Sequence, residues 1–528
     1  MNTQSHIRRK AARKTREDAA ETAFMRNHPQ QHPNNGEEQT YINSLGHFSY
    51  IANFSKGLHH NSSGEVDPVS YKSLLKAILS GNSNDFEAIV LGGTRKLVNP
   101  QAGLAYDLEG PDAGSQEIAP APRMNSAEAA GEMVEDYWMA LARDVSFSDY
   151  NTDAIISNAV TEMSGLSDFR GPKDSGNVTA NTLFRGITPG DLKGSFLSQF
   201  LILGSDAPQY SISPEDGYIQ YGTLVVDQRQ RTVQQGIDYM TDAGEWLAVQ
   251  NGSEPSVLQN VDTTTRRFIR SLRDLAHYVH FDALYQAYLN AGLYLLSANS
   301  SKDLGNPYEN SKTQYGFGTF GTAHILSLIP EVATRALKAV WFQKWFVHRR
   351  LRPEEFGGRI HFHKNGLAQY PIHPDVLNSV ALAQTKAKFS VAGSDNYFLP
   401  QAFPEGGPTH PAYGAGHATV AGACVTILKA WFDESQIIKK PFEPNADGTQ
   451  LVQYSGADIL TVGGELNKLA ANISLGRNAA GVHYRTDYTE SIRLGESIAV
   501  GILEEQKLTY NENHGFSFIK FDGTGITI

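Results

Sequence analysis

The sequence predicts a mainly α-helical protein built as helical bundles, with two four-helix-bundle-like cores and few, short strands. Apolar residues recur at helical spacing over long segments, as at Ile325, Leu328 and Val332. Strand-like alternation is limited to short stretches, the clearest being the segment SISPEDGYIQYGTLVV. The chain also lacks internal repeats and low-complexity tracts. These three observations favour packed helices over a sheet, a sandwich or a repeat array.

Composition sets the broad class. The chain has 528 residues, of which 40% are hydrophobic and 19% charged, as is typical of a soluble globular protein. A formal net charge of −11 argues against a general nucleic-acid binder. The sequence contains no run of about 18 apolar residues, so it predicts no membrane-spanning helix. The single cysteine, Cys424, excludes an intrachain disulfide and a cysteine-based zinc site, and its apolar surroundings favour a packed thiol.

The domain prediction is a mobile N-terminal arm over residues 1–40 followed by one large helical domain over residues 41–528. The arm is polar and starts with a cluster of basic residues, but no apolar segment follows, so we do not interpret it as a secretory signal. The sequence therefore does not assign the protein to a cellular compartment. The basic residues are Arg8, Arg9, Lys10, Arg13, Lys14 and Arg16.

Helices are expected where apolar spacing and caps coincide. Ser126 has the character of an N-cap for the helix that follows it. Residues 357–408 are expected to be a long connection with one helix inside it. The predicted helices cover residues 69–79, 127–145, 153–165, 240–249, 264–288, 325–352, 374–388, 416–431, 459–473 and 487–505.

The first stretch with chemical character runs from Trp341 to Pro353. On a helix, Trp341, Lys344 and Arg352 would share one face, and Pro353 would end the helix. A cationic face beside apolar residues is costly unless an anion neutralises it. The alternative is a solvated basic helix end, stabilised by the helix dipole.

The second stretch is a glycine-rich helix start. Gly416 precedes His417, and His410 lies a few residues upstream. Backbone N–H groups at a helix start have no partner inside the helix, so this segment can form an anion cradle flanked by two histidines.

The third stretch places Arg477 six residues before His483. Arginine offers a fork of donors for an oxyanion, and neutral histidine offers a lone pair to a metal or an electrophilic centre. Asp487, one helical turn later, either orients the imidazole or is a plain surface carboxylate. Asp282, inside an apolar run, needs a cationic partner or a proton.

Together the three stretches describe a site for a tetrahedral oxyanion. One histidine can bond the central atom and the other can exchange protons. That chemistry suits phosphoryl transfer through a phosphohistidine, or a tightly held phosphate-like metal oxide.

The pattern Lys-x7-Arg-Pro, then Gly-His, then Arg-x5-His resembles the superfamily shared by vanadium-dependent haloperoxidases and type-2 phosphatidic acid phosphatases. The phosphatases share only these three short blocks. From about residue 40 onward the chain is similar to the red-algal type of vanadium bromoperoxidase. The segments that carry this resemblance include KWFVHRRLRPE, HPAYGAGHATVAGACVTILKAWFD, GRNAAGVHYRTDY and the tail KFDGTGITI.

The resemblance implies vanadate, with vanadium in the +5 state, as the cofactor. A nitrogen of His483 would bind the metal, and His417 would act as the acid–base histidine. Asp282 and Asp487 are expected to contact these residues and not the vanadate itself. The groups implied to donate hydrogen bonds to the vanadate oxygens are Lys344, Arg352, Arg477 and the Gly416 N–H. The residues with implied catalytic roles are His417, Lys344 and His410.

Two departures from the family pattern bear on function. Ala415 stands where the family usually has serine, which predicts weaker vanadate retention because one hydrogen bond to a charged group is lost. The halide pocket combines Trp341, as in fungal chloroperoxidases, with His410, as in bromoperoxidases. Calcium is not expected, because Glu309 is the only acid in the loop GNPYENSKTQ.

The implied function is a vanadium-dependent bromoperoxidase that uses hydrogen peroxide to oxidise bromide and iodide, with some chloride activity, and passes oxidised halogen to organic acceptors. The expected assembly is a dimer-based homo-oligomer, up to a dodecamer, without nucleic-acid or membrane partners. Two alternatives remain. One is a phosphohydrolase with His483 as nucleophile, and the other is a non-catalytic storage or shell protein that retains phosphate.

Overall fold

The computed structural model of the protein describes residues 4–44 and 46–528. Most of its regular structure is α-helix, so the predicted mainly α class is confirmed. The α-helices in chain order are α1 (Ser5–Met25), α2 (Pro68–Ser80), α3 (Ser83–Glu87), α4 (Ala127–Leu141), α5 (Ala154–Gly165), α6 (Ala243–Gln250), α7 (Leu272–Phe281), α8 (Gln286–Ser297), α9 (Thr322–Phe342), α10 (Pro353–Lys364), α11 (Pro374–Leu377), α12 (Val380–Phe389), α13 (Gly416–Trp431), α14 (Val462–Ala479) and α15 (Arg485–Lys507).

The strands of the described residues pair two by two as short antiparallel ladders, the first of them in the segment where the sequence predicts a strand pair. They are β1 (Tyr218–Tyr221) with β2 (Leu224–Asp227), β3 (Gln230–Val233) with β4 (Val261–Arg267), β5 (Phe442–Pro444) with β6 (Leu451–Gln453), and β7 (Ser517–Ile519) with β8 (Gly525–Thr527). Short 3₁₀ turns lie at Glu37–Gln39, Pro100–Leu104, Ala113–Ser115, Phe147–Asp149, Gln199–Leu201, Pro208–Tyr210 and Pro214–Asp216.

Side-chain caps fix several helix starts. Ser126 Oγ accepts the backbone N–H of Ala129 at 3.1 Å, which confirms it as the N-cap of α4. The carboxylate of Asp153 caps α5. Each cap satisfies an N–H group that has no acceptor inside its own helix, so the chain turns into a helix at that residue.

The helix α13 lies at the centre of the first apolar core, packed against α9, α14 and α15. Glycines bring α13 and α15 into backbone contact. A Cβ at Gly422 would lie 2.0 Å from the carbonyl oxygen of Ile492, and a Cβ at Gly495 would lie 2.0 Å from that of Thr419. Close packing of these helices therefore requires residues without side chains at both positions.

A second apolar core forms around α4, α5, α6, α10 and α12. The two cores meet near the end of α14. Leu475 belongs to the first core, whereas Ala479 and Tyr484 belong to the second. The turn between α14 and α15, which carries His483, is therefore held between the two cores.

Three predicted elements differ in the structure. In place of the predicted helix over residues 264–288, the structure has strand β4, helix α7 and the start of α8. Helix α7 ends before Asp282, whose backbone is extended. Residues 357–408 are not one long connection, because α10 continues to Lys364 and α11 and α12 follow.

The predicted helix over residues 325–352 is also wrong at its end. Helix α9 changes into a π-helical turn over Gln343–His348, Arg349 has a φ of +43°, and Arg352 is the N-cap of α10. Lys344 and Arg352 therefore lie on different elements instead of one helical face. The extra residue in a π turn shifts the register of every side chain that follows it.

Within the predicted mobile arm, Ser5–Met25 is helical and has no buried residue. Arg26 ties the end of α1 to α15, where it donates to the carbonyl oxygen of Gly501 at 2.7 Å. The mobility of this arm stays a prediction. No helix in the described ranges combines the length and the apolarity that crossing a bilayer requires.

Replacing Gly495 by alanine should lower the free energy of unfolding by about 1–3 kcal/mol, because the new Cβ overlaps the backbone of α13. Thermal and urea unfolding measure this change. Gly165→Ala is the matched control, since a Cβ there meets nothing within 4 Å at the end of α5 and should leave stability the same or slightly higher. Equal effects of the two substitutions would contradict the close-packing explanation.

Candidate active site

His483 lies in the turn between α14 and α15 with its ring orientation fixed by a carboxylate. Its Nδ1 is 2.6 Å from Oδ2 of Asp487, and the same oxygen accepts the backbone N–H of Tyr484 at 3.1 Å. A carboxylate at Nδ1 requires a proton on that nitrogen, which leaves Nε2 as the free lone pair. Burial, together with nearby Arg352 and Lys344, holds the pKa of His483 well below its usual value, so the ring is neutral.

Asp487 is itself held by Arg350. Oδ1 of Asp487 accepts from Arg350 at 3.2 Å, and the same guanidinium donates to Glu132 of α4 at 2.7 Å. Burial raises the pKa of Asp487 to about 6, and the charge of Arg350 opposes that rise. The sequence analysis did not assign Arg350 or Glu132 to the site. Carboxylates at core-facing positions of the capped helix α4 were the available signal, since a buried carboxylate needs a cation.

Lys344 is fully buried in the π turn after α9. Its Nζ donates to the carbonyl oxygens of Pro411 and Ala412, at 2.6 and 2.9 Å, and lies 5.7 Å from the centre of the Trp341 ring. Burial and the neighbouring Arg352 hold its pKa well below the usual value. An ammonium group in this position gains from any anion that approaches it.

Arg352 is also fully buried, at the N-cap of α10. It donates to the carbonyl oxygens of His410 at 2.8 Å and Val482 at 2.7 Å, and it also lies 3.3 Å from Nε2 of His483 and 2.9 Å from Nδ1 of His410. Burial and the charge of Arg477 lower the pKa of Arg352 to about 10. The guanidinium thus contacts the ring nitrogen of His483 that does not bind Asp487.

Arg477 projects from the last turn of α14. One terminal nitrogen donates to the carbonyl oxygen of Val279 at 2.8 Å, and its buried Nε has no hydrogen-bond partner. Burial lowers the pKa of Arg477 to about 10. A buried N–H without a partner among the described residues needs an acceptor, which a ligand can supply.

Lys344, Arg352 and Arg477 share an unusual property. Within residues 4–44 and 46–528, none of the three has a carboxylate within 4.0 Å. Many other buried cations are paired, as Lys56 is with Glu354, although Arg185, Arg359 and Lys429 also have no carboxylate within 4.0 Å among these residues. Three buried positive charges without counter-ions are strongly unfavourable, so the geometry favours an anion bound among them.

The start of α13 supplies the second half of the site. Ala415 is the N-cap residue and offers no side-chain acceptor to the helix. A Cβ at Gly416 would approach the Trp341 ring to 3.2 Å, which favours glycine here. Nε2 of His417 is 3.1 Å from Oδ1 of Asp282, whose other oxygen has no partner. Burial lowers the pKa of His417 and Asp282 opposes the change.

A cavity of about 300 Å³ joins these groups. Trp341 and His410 form one wall, with ring centres 4.8 Å apart. Lys344 and Arg352 do not line this cavity but contact the 410–412 segment, of which His410 does line it. The predicted site residues that line it are Asp282, Trp341, His410, Gly416, His417, Arg477 and His483.

Comparison with known proteins identifies the relatives of this chain. The family model for the VCPO second helical-bundle domain matches residues 388–511. The vanadium-dependent bromoperoxidase of Corallina officinalis is 42% identical, over 99% of this chain and 98% of its own length. That of Ascophyllum nodosum is 35% identical, over 92% of this chain and 87% of its own length.

A solved structure extends the comparison. The second vanadate-dependent bromoperoxidase of Ascophyllum nodosum, described as a homohexamer, superposes with a TM-score of 0.91 at 28% identity, covering 99% of this chain and 91% of that one. Identity above 30% over nearly the whole length, together with the helical fold, defines the class. The chain belongs to the vanadium-dependent haloperoxidases, and the resemblance to the bromoperoxidase type is confirmed.

Replacing Arg477 by methionine should raise the stability of the anion-free protein by about 1–4 kcal/mol, because it removes a buried charge that has no counter-ion. Inorganic phosphate should raise the Tm of the unsubstituted protein and have little effect on the variant. Differential scanning calorimetry measures both changes.

Arg485→Met is the matched control for this prediction, because Arg485 is equally buried but paired with Glu135. That change leaves an uncompensated carboxylate and should cost about 3–5 kcal/mol. A similar loss of stability in both variants would show that Arg477 is not an unpaired cation.

Proposed function

We propose that this chain is a vanadate-dependent haloperoxidase that uses hydrogen peroxide to oxidise bromide and iodide, with some chloride activity, to hypohalous-acid equivalents that halogenate organic acceptors. One observation carries the proposal. Three buried cations without carboxylate partners surround a neutral histidine whose Nδ1 proton is committed to Asp487. An oxyanion with a metal centre uses both features at once, because its oxygens need donors and its metal needs the Nε2 lone pair.

The residues present fit vanadate. His483 Nε2 would bind the metal, in exchange for its present contact with Arg352. Bound vanadate supplies a Lewis acid that polarises peroxide oxygen without changing its own oxidation state. The groups that would hold its oxygens are Lys344, Arg352, Arg477 and the Gly416 N–H.

His417 is placed to move a proton. Burial lowers its pKa, so the ring is neutral and can accept the proton of hydrogen peroxide at its available nitrogen. Asp282 orients the ring through the 3.1 Å contact to Nε2. Lys344 would donate to an oxygen of the bound group, and its contacts with the carbonyl oxygens of Pro411 and Ala412 hold the side chain in place.

Trp341 and His410 would set halide choice. Their rings are 4.8 Å apart in the cavity wall, and His410 Nδ1 lies 2.9 Å from Arg352. Because Arg352 can only donate to Nδ1 of His410, the ring proton lies on Nε2, and this N–H is a donor for a large anion such as bromide or iodide. The named relatives are bromoperoxidases, which supports the same preference.

The assembly is proposed to be homo-oligomeric, supported by the homohexameric description of the Ascophyllum nodosum structure. Dimers are the proposed building unit, with a dodecamer as the largest form. The absence of a calcium requirement stays a prediction.

The test is halide oxidation by hydrogen peroxide, measured with iodide, bromide and chloride across pH after vanadate is removed and again after it is restored. Activity with bromide should require vanadate, and His483→Ala should abolish it while the helical fold persists. His417→Ala should lower kcat by roughly 10²–10⁴, the usual contribution of a proton-transfer group. Phosphate-ester hydrolysis without vanadate and no halide oxidation with it would favour the phosphohydrolase instead.

Ala415→Ser should tighten vanadate binding roughly tenfold or more, since one added hydrogen bond to a charged group contributes about 1.5–3 kcal/mol. Equilibrium dialysis with vanadate measures the dissociation constant directly. Ala415→Gly alters the same buried position without adding a hydroxyl and should not tighten binding. If the serine variant binds vanadate no better than the unsubstituted protein, the lack of a hydroxyl at position 415 does not determine how strongly this chain retains vanadate.

A further inference from the structure

An ion pair lies in the active-site cavity apart from the groups assigned above. His280, in the last turn of α7, places its Nε2 at 2.5 Å from Oε1 of Glu405. The His280 ring stacks on Phe403 at 3.7 Å between centres. Both His280 and Glu405 line the cavity that also contains His417 and Arg477.

Two hydrogen bonds fix the ring of His280. Its Nδ1 lies 3.1 Å from the side-chain oxygen of Gln259. The amide nitrogen of Gln259 donates to the carbonyl oxygen of Ala402 at 3.2 Å, which fixes the amide so that its oxygen faces the imidazole. An acceptor lies at each ring nitrogen, so His280 can donate to both Gln259 and Glu405. Burial raises the pKa of the Glu405 carboxyl, but the hydrogen bond and charge of His280 outweigh burial and hold that pKa below its usual value.

This pair is partly exposed, to about the same degree as the 18% of His417. The side chains of His280 and Glu405 are 17% and 23% exposed, whereas that of His483 is 3% exposed. The backbone of Glu405 is anchored as well, because its carbonyl oxygen accepts from the buried Lys56 at 2.6 Å. The carboxylate therefore lies in the partly exposed part of the cavity that Arg477 also lines, with its backbone held in place.

We propose that Glu405, held by His280, is a specificity-determining residue that weakens the binding of anions in the cavity and leaves neutral hydrogen peroxide unaffected. For halides this inference rests on the proposed function; for oxyanions it does not. The three unpaired cations attract every small anion, so a carboxylate in the cavity lining prevents halide or phosphate from occupying the site too strongly. The carboxylates of Asp282 and Glu405 already oppose the fall in the pKa of Arg477, which places the charge of Glu405 within reach of the site.

The test compares two substitutions with opposite expected signs. Glu405→Gln removes the negative charge and keeps the shape, so the KM for bromide should fall roughly 3- to 10-fold at low ionic strength, as expected for one charge acting across a partly hydrated cavity. The difference should shrink as salt is added. His280→Gln removes the positive partner, so the KM for bromide should rise. In both variants the KM for hydrogen peroxide should stay unchanged.

A second measurement is independent of halide oxidation. Calorimetric titration of vanadate-free protein with inorganic phosphate should give a tighter dissociation constant for Glu405→Gln, by a factor similar to that seen for bromide. Glu254→Gln is the control. The side chain of Glu254 is 70% exposed and lies 3.9 Å from Arg95, another residue of the cavity lining. Because so exposed a charge is well screened, the bromide KM and the phosphate dissociation constant should change little.

The outcomes separate the two proposals. Unchanged bromide KM and unchanged phosphate affinity in Glu405→Gln would overturn the role of Glu405. A KM for peroxide that moves as much as that for bromide would also overturn it, because the substitution would then act through cavity shape. Tighter phosphate binding in a protein that oxidises no halide would support the role of Glu405 and refute the proposed haloperoxidase activity.

Discussion

The structure depends on three buried positive charges that the protein itself leaves without counter-ions. Lys344, Arg352 and Arg477 come from the π turn after α9, the N-cap of α10 and the last turn of α14. Segments so distant in sequence are brought together only by the packing of both apolar cores. Because unpaired charges destabilise the anion-free state, the fold must supply stability elsewhere, and the closely packed α13 and α15 are part of that supply.

Carboxylates give the two histidines of the site different properties. Asp487 binds Nδ1 of His483 and is itself fixed by Arg350, so the ring presents Nε2 from a buried and rigid position. Asp282 instead meets Nε2 of His417, whose side chain is 18% exposed. A buried imidazole with a fixed tautomer suits a ligand, and a partly exposed one suits exchange of protons with solvent.

The sequence predicted those parts of the structure that depend on local signals. Ser126 marked the start of α4, and Gly416 marked the start of α13. The π turn at Gln343–His348 was missed because an apolar pattern at helical spacing does not reveal one inserted residue. Arg350 and Glu405 were missed because their roles come from partners far away in the chain, which no local pattern records.

Protein groups already contact the side chains that would hold a ligand. Arg352 rests against Nε2 of His483, and Lys344 donates to two carbonyl oxygens of the 410–412 segment. An arriving oxyanion therefore exchanges hydrogen bonds instead of only adding them, and its net gain comes mainly from charge that the protein leaves unpaired. The hydroxyl absent at Ala415 would have added a contact with no competing protein partner to displace. Retention of an anion in this chain thus depends on charge more than on hydrogen-bond count, and a single fixed carboxylate in the cavity lining has correspondingly more influence.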